Sequence, residues 1–149
     1  PAHHSATQHR ITGVQQALEA AGEPLVLDEP LIGQWSERWG RDAVTQLLGS
    51  GAEFDAIVAG SDKVARGAAS ALRDAGRRVP ADVGIVGFDN WDVMVEASRP
   101  PLTSIDFNLT DLGHVAATAL LDAINGRPGQ PGVRAQPCSL IRRRSTETD

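Results

Sequence analysis

The stretch Val58-Ala-Gly-Ser-Asp-Lys-Val-Ala-Arg-Gly-Ala-Ala-Ser-Ala-Leu-Arg-Asp-Ala-Gly-Arg-Arg-Val-Pro-Ala-Asp-Val-Gly-Ile-Val-Gly-Phe-Asp-Asn90 decides the fold. It reads as strand, helix, strand. Val64, Ala68, Ala71, Leu72 and Ala75 recur at helical spacing, between Ser61 as a plausible N-cap and Gly76 as a stop. The flanking runs, Phe54 to Ala59 and Val83 to Phe88, are apolar and β-branched enough for buried strands. Each strand runs out into a short polar segment, Gly60-Ser61-Asp62 and Phe88-Asp89-Asn90. In an open parallel sheet such strand ends form one rim, and ligands bind in the crevice there. Two acid-bearing loops are therefore expected side by side at a ligand mouth.

Working outward, Ala6 to Ala21 carries Ile11, Val14, Leu18 and Ala21 at helical spacing and stops at Gly22. Leu25-Val-Leu27 reads as a short strand, followed by a loop from Asp28 to Gly33. Trp35-Ser36-Glu37-Arg38-Trp39 opens the next helix, with Ser36 as N-cap and Val44, Leu47 and Leu48 on its buried face. Beyond the central stretch, Asp92 to Ala97 reads as a short helix and Leu102 to Asp106 as extended chain. Asn108 is expected to cap an amphipathic helix bearing Leu109, Leu112, Ala116, Ala119, Leu120, Ala123 and Ile124, stopped by Gly126-Arg-Pro128. Ser139 to Arg143 completes the pattern as a last strand. Alternation of this kind predicts an α/β fold, a mostly parallel sheet with helices on both faces.

The chain has 149 residues, enough for a real core, with 41% hydrophobic and 22% charged residues and a net charge of −5. That acidity argues against direct nucleic-acid binding by this segment. Arg142-Arg143-Arg144 is the one basic run, and it reads as a solvated strand end. Cys138 is the only cysteine, which excludes an internal disulfide and fits a reducing compartment. No apolar run approaches the ~20 residues of a membrane span, and no signal peptide is recognisable.

Several side chains near the rim carry chemistry. Asp89, at a strand end, can accept two hydrogen bonds from the vicinal hydroxyls of a sugar, or cap the turn that follows. Ser61 and Asp62 are equally good ligand contacts or helix starters, the helix role being the stronger one for Asp62. Arg10 lies beside the apolar stripe of the first helix and can fork two donors toward ligand oxygens, or make a surface ion pair. Trp35 can stack on the apolar face of a sugar or pack in the core. Phe88 and Phe107 flank the same rim as wall or core. His3, His4 and His9 match no metal-ligand spacing. There is no nucleophile elbow, dinucleotide fingerprint or phosphate-binding loop, and His114 has no evident partner, so no catalytic set assembles.

The ordered combination Gly60-Ser-Asp62, Ala65-x-Gly67-Ala68, Val79-Pro80-x-Asp82-Val83, Ile85-Val-Gly-Phe-Asp89 and Pro100-Pro-Leu-Thr-Ser-Ile105 resembles the lactose-repressor/galactose-repressor family of bacterial transcription regulators. Arg10-Ile-x-Gly13 and Ala17-Leu18 through Ala21-Gly22 fit as well, so the resemblance runs essentially end to end. It implies a sensor of periplasmic-binding-protein type, with two α/β subdomains around an effector cleft behind a helix-turn-helix domain. On that reading residues 1–106 are part of the C-terminal effector-binding subdomain. Residues 107–137 are a crossover helix and loop packing on the N-terminal subdomain, and residues 138–149 a returning strand and tail. The family's effector contacts fall on Arg10, Trp35, Ser61 and Asp89, with Phe88 adjacent. Ser61 stands where Asn is common in the family, and Phe107 where many members carry Gln.

The resemblance further implies a cytoplasmic, non-enzymatic protein that needs no cofactor. Its partners would be a sugar-like effector, operator DNA through the helix-turn-helix domain, and a second copy in a homodimer. A periplasmic sugar-binding protein of a transport system is the alternative. The family's first strand of this subdomain would precede Pro1, so an incomplete sheet is expected. The apolar stripe of the 108–124 helix is expected to repack locally or against a second copy.

Overall fold

The computed structural model describes residues 4–127 and 129–147. Pro128, part of the expected helix stop, and His3 lie outside the described residues. Helix α1 spans Ser5–Ala21 and ends on Gly22, whose left-handed backbone (φ 72°) supports the closing hydrogen bonds to Glu19 and Leu18. Helix α2, Glu37–Gly49, is capped as expected: Ser36 Oγ accepts the Trp39 N–H at 3.1 Å. Strand β1 (Ala56–Val58), helix α3 (Asp62–Asp74) and strand β2 (Gly84–Phe88) form the unit read from the central stretch. Helix α4 (Asp92–Val95), strand β3 (Thr103–Asp106), helix α5 (Leu109–Ile124) and strand β4 (Ser139–Ile141) follow.

The four strands form one sheet in the order β1-β2-β3-β4. The first three are parallel, with Val58 opposite Val86 and Phe88 opposite Ile105, and β4 is antiparallel to β3. Because strand side chains alternate, one face presents Ile57 and Ile85 to α3 and α2. There they join Val44, Ala65, Ala68, Leu72 and Leu102 in the core. The opposite face presents Val58 and Phe88 toward α1. Parallel pairing sends the ends of β1, β2 and β3 to one rim, which carries Gly60, Asp89 and Phe107.

The structure corrects four expectations. Leu25-Val-Leu27 is not a strand: it is bent, and Leu25 and Val26 are each 44% exposed. A strand exists only through its pairing, and among the described residues this run pairs with no strand of the sheet. Asn108 occupies the N-cap of α5 but its side chain makes no cap bond. Its backbone is left-handed (φ 51°), and its N–H donates to Asp106 Oδ1 at 2.7 Å. Arg143 is not a solvated strand end. Its side chain is 16% exposed, and its guanidinium donates to Glu96 Oε1, Asn90 Oδ1 and the Leu102 carbonyl at 2.9–3.0 Å. Finally, the α5 stripe does not repack locally: α5 buries no residue, and Leu109, Leu120 and Ile124 are 63–71% exposed.

After β4 the chain turns under the sheet, and Ser145 enters between the starts of β2 and β3. The Ser145 hydroxyl donates to the Ile85 carbonyl at 2.6 Å and accepts the Thr103 N–H at 2.8 Å. Its carbonyl accepts the Ile85 N–H and its N–H donates to the Pro101 carbonyl. Ser145, Ile85 and Thr103 are all fully buried. Ser145→Ala would strand two buried main-chain groups, and each such loss costs about 1–3 kcal/mol. A chemical-denaturation midpoint clearly below wild type is the expected result; an unchanged midpoint would show that the tail does not fasten the sheet.

Candidate functional site

Helix α1 delivers Arg10 onto the rim from above the β1–β2 face. Its guanidinium donates to the Gly60 carbonyl at the end of β1. A second arm points at Asp89, with 3.9 Å between Nη2 and Oδ1. That separation is an ion pair rather than a hydrogen bond, so both groups keep capacity for a third party. Aromatic rings close the sides: the guanidinium carbon lies 4.7 Å from the centre of Phe88, 5.3 Å from Phe107 and 5.6 Å from Trp35. Phe88 and Phe107 are tilted against each other at 6.1 Å, and His4 meets Trp35 edge-on at 5.1 Å. The arginine side chain is only 18% exposed, and the rings hold its plane by cation–π attraction.

A cavity of about 130 Å³ opens beside this cluster, between α1, the 30–35 loop and the end of β1, lined among others by Arg10, Leu31, Trp35, Val58 and Phe88. Trp35 stands 41% exposed at its edge, fixed by the start of α2 that Ser36 caps. The arrangement combines a fork of donors, a carboxylate acceptor and flat apolar walls. A polyhydroxy ring suits it, with hydroxyls on Arg10 and Asp89 and C–H faces on the rings.

Asp89 closes β2 in a rarely used conformation. Its φ is 106°, and Asn90 follows at 51°. The Asp89 N–H still donates to the Ile105 carbonyl of β3 at 3.0 Å, so the bend begins immediately after the ladder ends. Burial pushes the Asp89 carboxyl above its ordinary value, Arg10 and Lys63 pull it down, and the neighbouring charge of Asp62 pushes it further up.

The structure thus brings Arg10, Trp35, Phe88 and Asp89 together with Phe107. Ser61 behaves differently. It is 3% exposed, and its Oγ faces the Val64 N–H at 3.4 Å as the N-cap of α3, while the adjacent Gly60 carbonyl meets Arg10. His9 is exposed on α1.

Sequence reasoning assigned Asp62 mainly to the start of α3 and did not identify Ser104. Asp62 is 1% exposed and accepts the Ser104 hydroxyl at 2.6 Å and the Trp91 N–H at 2.8 Å. Burial raises its carboxyl above the ordinary value; the bonds from Ser104 and Trp91 and the charge of Arg143 work against that rise. One signal for this contact was present. Gly87 lies inside β2, after the branched pair Ile85-Val86, and a Cβ there would come 2.4 Å from Asp62 Oδ1. Glycine inside a strand marks just such close approach.

Residues 1–146 match the periplasmic binding protein-like domain. The HTH-type transcriptional regulator CelR of Thermobifida fusca is 37% identical over 124 residues, which is 82% of this chain and 36% of that protein. The chain belongs to the lactose-repressor/galactose-repressor family. Two solved structures of such repressor-family proteins superpose well on it. A CelR–cellobiose complex matches 91% of this chain and 41% of its own, with a TM-score of 0.78 and 35% identity. A lac repressor dimer bound to operator and the anti-inducer ONPF matches 96% and 42%, with a TM-score of 0.83 and 28% identity. The chain therefore spans well under half the length of these repressor-family members. Among the described residues no helix is long and apolar enough to cross a membrane.

Proposed function

We propose that this chain forms one wall of the effector cleft of a transcriptional repressor, and that a sugar-like effector bound there alters the affinity of the whole protein for operator DNA. Arg10, Trp35, Phe88 and Asp89 contact the effector, and Ser61 sets the start of α3 beneath it. The observation that carries the reading is the unsaturated Arg10–Asp89 pair between three aromatic faces at the strand-end rim. Residues 1–106 form the wall, residues 107–137 reach toward a second subdomain, and residues 138–149 return to complete the sheet. The exposed stripe on α5 supports that division, since apolar side chains this exposed gain from cover. The intact protein acts in the cytoplasm as a homodimer, and it is a sensor without catalytic chemistry or a cofactor.

Relatives that are transcription regulators support this reading over a transport protein of similar fold. Coupling requires that the effector bind two arrangements of the protein unequally. In the full-length protein, a sugar that changes tryptophan fluorescence should change operator affinity by roughly 5- to 150-fold, the usual span of such coupling. Operator DNA selected from a random library and followed by fluorescence anisotropy provides the measurement. A sugar that binds tightly yet leaves operator affinity untouched would favour the transport reading.

A further inference from the structure

Two consecutive residues other than glycine hold left-handed backbone at the end of β2, Asp89 at φ 106° and Asn90 at φ 51°. Conformations of this kind cost energy and persist only where the surroundings over-determine them. The surroundings here are specific. Asp62 Oδ2 accepts the Trp91 N–H at 2.8 Å, and Asp62 Oδ1 accepts the Ser104 hydroxyl at 2.6 Å. The same Ser104 oxygen accepts the Asn90 N–H at 3.1 Å. The Asn90 side chain is held from both ends, its amide donating to Asp106 Oδ2 at 3.2 Å and its oxygen accepting from Arg143 at 2.9 Å.

We propose that Asp62, acting with Ser104, is the positioning residue of the ligand site. It clamps the main chain of Asn90 and Trp91 and so keeps the Asp89 carboxylate aimed at Arg10. The proposal rests on the reading of Asp89 as a ligand acceptor. Simple helix starting does not explain the geometry. A carboxylate that only favoured the first turn of α3 would sit in solvent, whereas this one is 1% exposed and its oxygens face two other elements. Nor does core packing explain it: among the described residues Asp62 feels Arg143 only as a nearby charge with no direct ion pair, and a buried carboxylate of that kind is a costly filler. Gly87 is the matching concession in β2, leaving room for Asp62 Oδ1. The clamp joins α3 and β3 to the segment after β2, so the aim of Asp89 is set by Asp62 and Ser104, which lie outside the residues proposed to contact the effector.

The test compares wild type, Asp62→Ala, Asp62→Asn, Ser104→Ala and Asp89→Ala in full-length protein. Amide hydrogen exchange is read at Asn90 and Trp91, with the Ala59 N–H, bonded to the Val86 carbonyl, as the reference for global opening. Affinity for cellobiose is read in the same samples by tryptophan fluorescence. Asp62→Ala should speed exchange at Asn90 and Trp91 but not at Ala59, and should weaken cellobiose binding ~10-fold. Asp62→Asn keeps an oxygen for the Trp91 N–H and should recover part of both losses, whereas Asp62→Leu, added to the series because it fills the space without an acceptor, should recover neither, as a packing role would not predict. If Asp62→Ala also frees Ala59, the fold has opened and the milder Ser104→Ala decides. Unchanged exchange at Asn90 and Trp91 overturns the proposal. So does unchanged cellobiose affinity in the Asp62 and Ser104 variants while Asp89→Ala loses it. If Asp89→Ala alone leaves binding intact, the assignment of Asp89 has failed instead. If cellobiose does not bind wild type, the exchange measurements decide alone.

Discussion

Asp89→Ala should weaken sugar binding by roughly 10- to 100-fold, the equivalent of about one charge-assisted hydrogen bond, while leaving the fold in place. The variant removes the carboxylate that faces Arg10 across 3.9 Å but keeps the main-chain bond from residue 89 to Ile105. The side chain is 41% exposed, so no large cavity is left behind. Fluorescence titration in the full-length protein is the measurement, since Trp35 stands at the edge of the same cluster. The same experiment has a pH signature. Burial raises the Asp89 carboxyl above its ordinary value. Its acceptor form is therefore lost on acidification before a free aspartate, with its pKa of about 3.9, would protonate. Wild-type affinity should fall as pH drops through that raised value, and the residual binding of Asp89→Ala should not follow it. Equal affinity in wild type and variant would remove Asp89 from the site.

Gly67→Ala should destabilise the protein by at least ~3 kcal/mol, the upper end of what overpacking costs. Helices α2 and α3 cross backbone to backbone. A Cβ on Gly67 would lie 2.0 Å from the Glu37 carbonyl oxygen, and one on Gly40 would lie 2.1 Å from the Val64 carbonyl oxygen. Neither obstacle is a flexible side-chain tip, so the helices must part. Parting them opens the core around Val44, Ala65, Ala68 and Leu72. For a chain of this size the loss corresponds to a fall of roughly 10 °C in Tm. Gly13→Ala is the contrast. It lies in α1 with nothing within 4 Å of its Cβ position, and an alanine there should gain about 0.5–1 kcal/mol of helix stability. Thermal melts by circular dichroism read both. A Gly67→Ala protein that melts with wild type would show that the helices do not meet this closely.

Most of the fold was legible because its signals are local. The α3 stripe, the Ser36 and Ser61 caps and the strand on either side of α3 depend on residues a few positions apart, and all of them form. The site was legible in part for a related reason. Parallel strands place their ends on one rim whatever the details, so Gly60 and Asp89 had to be neighbours. Arg10 and Trp35 stood out by side-chain chemistry alone, and only the resemblance to a repressor family assigned them to the same site as Asp89, which no rule of spacing would have done.

What local signals could not supply is partner choice. Leu25-Val-Leu27 has the composition of a strand but no neighbour to pair with, and composition does not create one. Arg143 looked like one of three equivalent arginines. It differs because the turn after β4 brings it across Leu102 to Glu96 and Asn90. Gly67 and Gly13 are both glycines inside helices, and only packing tells a required one from a replaceable one.

By itself the sequence determined the order of elements from α2 onward, the rim and the presence of an acid there. The tertiary structure decided how that acid is held. Asp62 meets Trp91 across 29 positions of chain and Ser104 across 42, and Arg143 meets Asn90 across 53. Hydrogen bonds at such separations depend on the final placement of whole elements, and no periodicity of 3.6 or 2 records them. The aim of Asp89 therefore belongs to the fold, although its identity and position were already written in the chain.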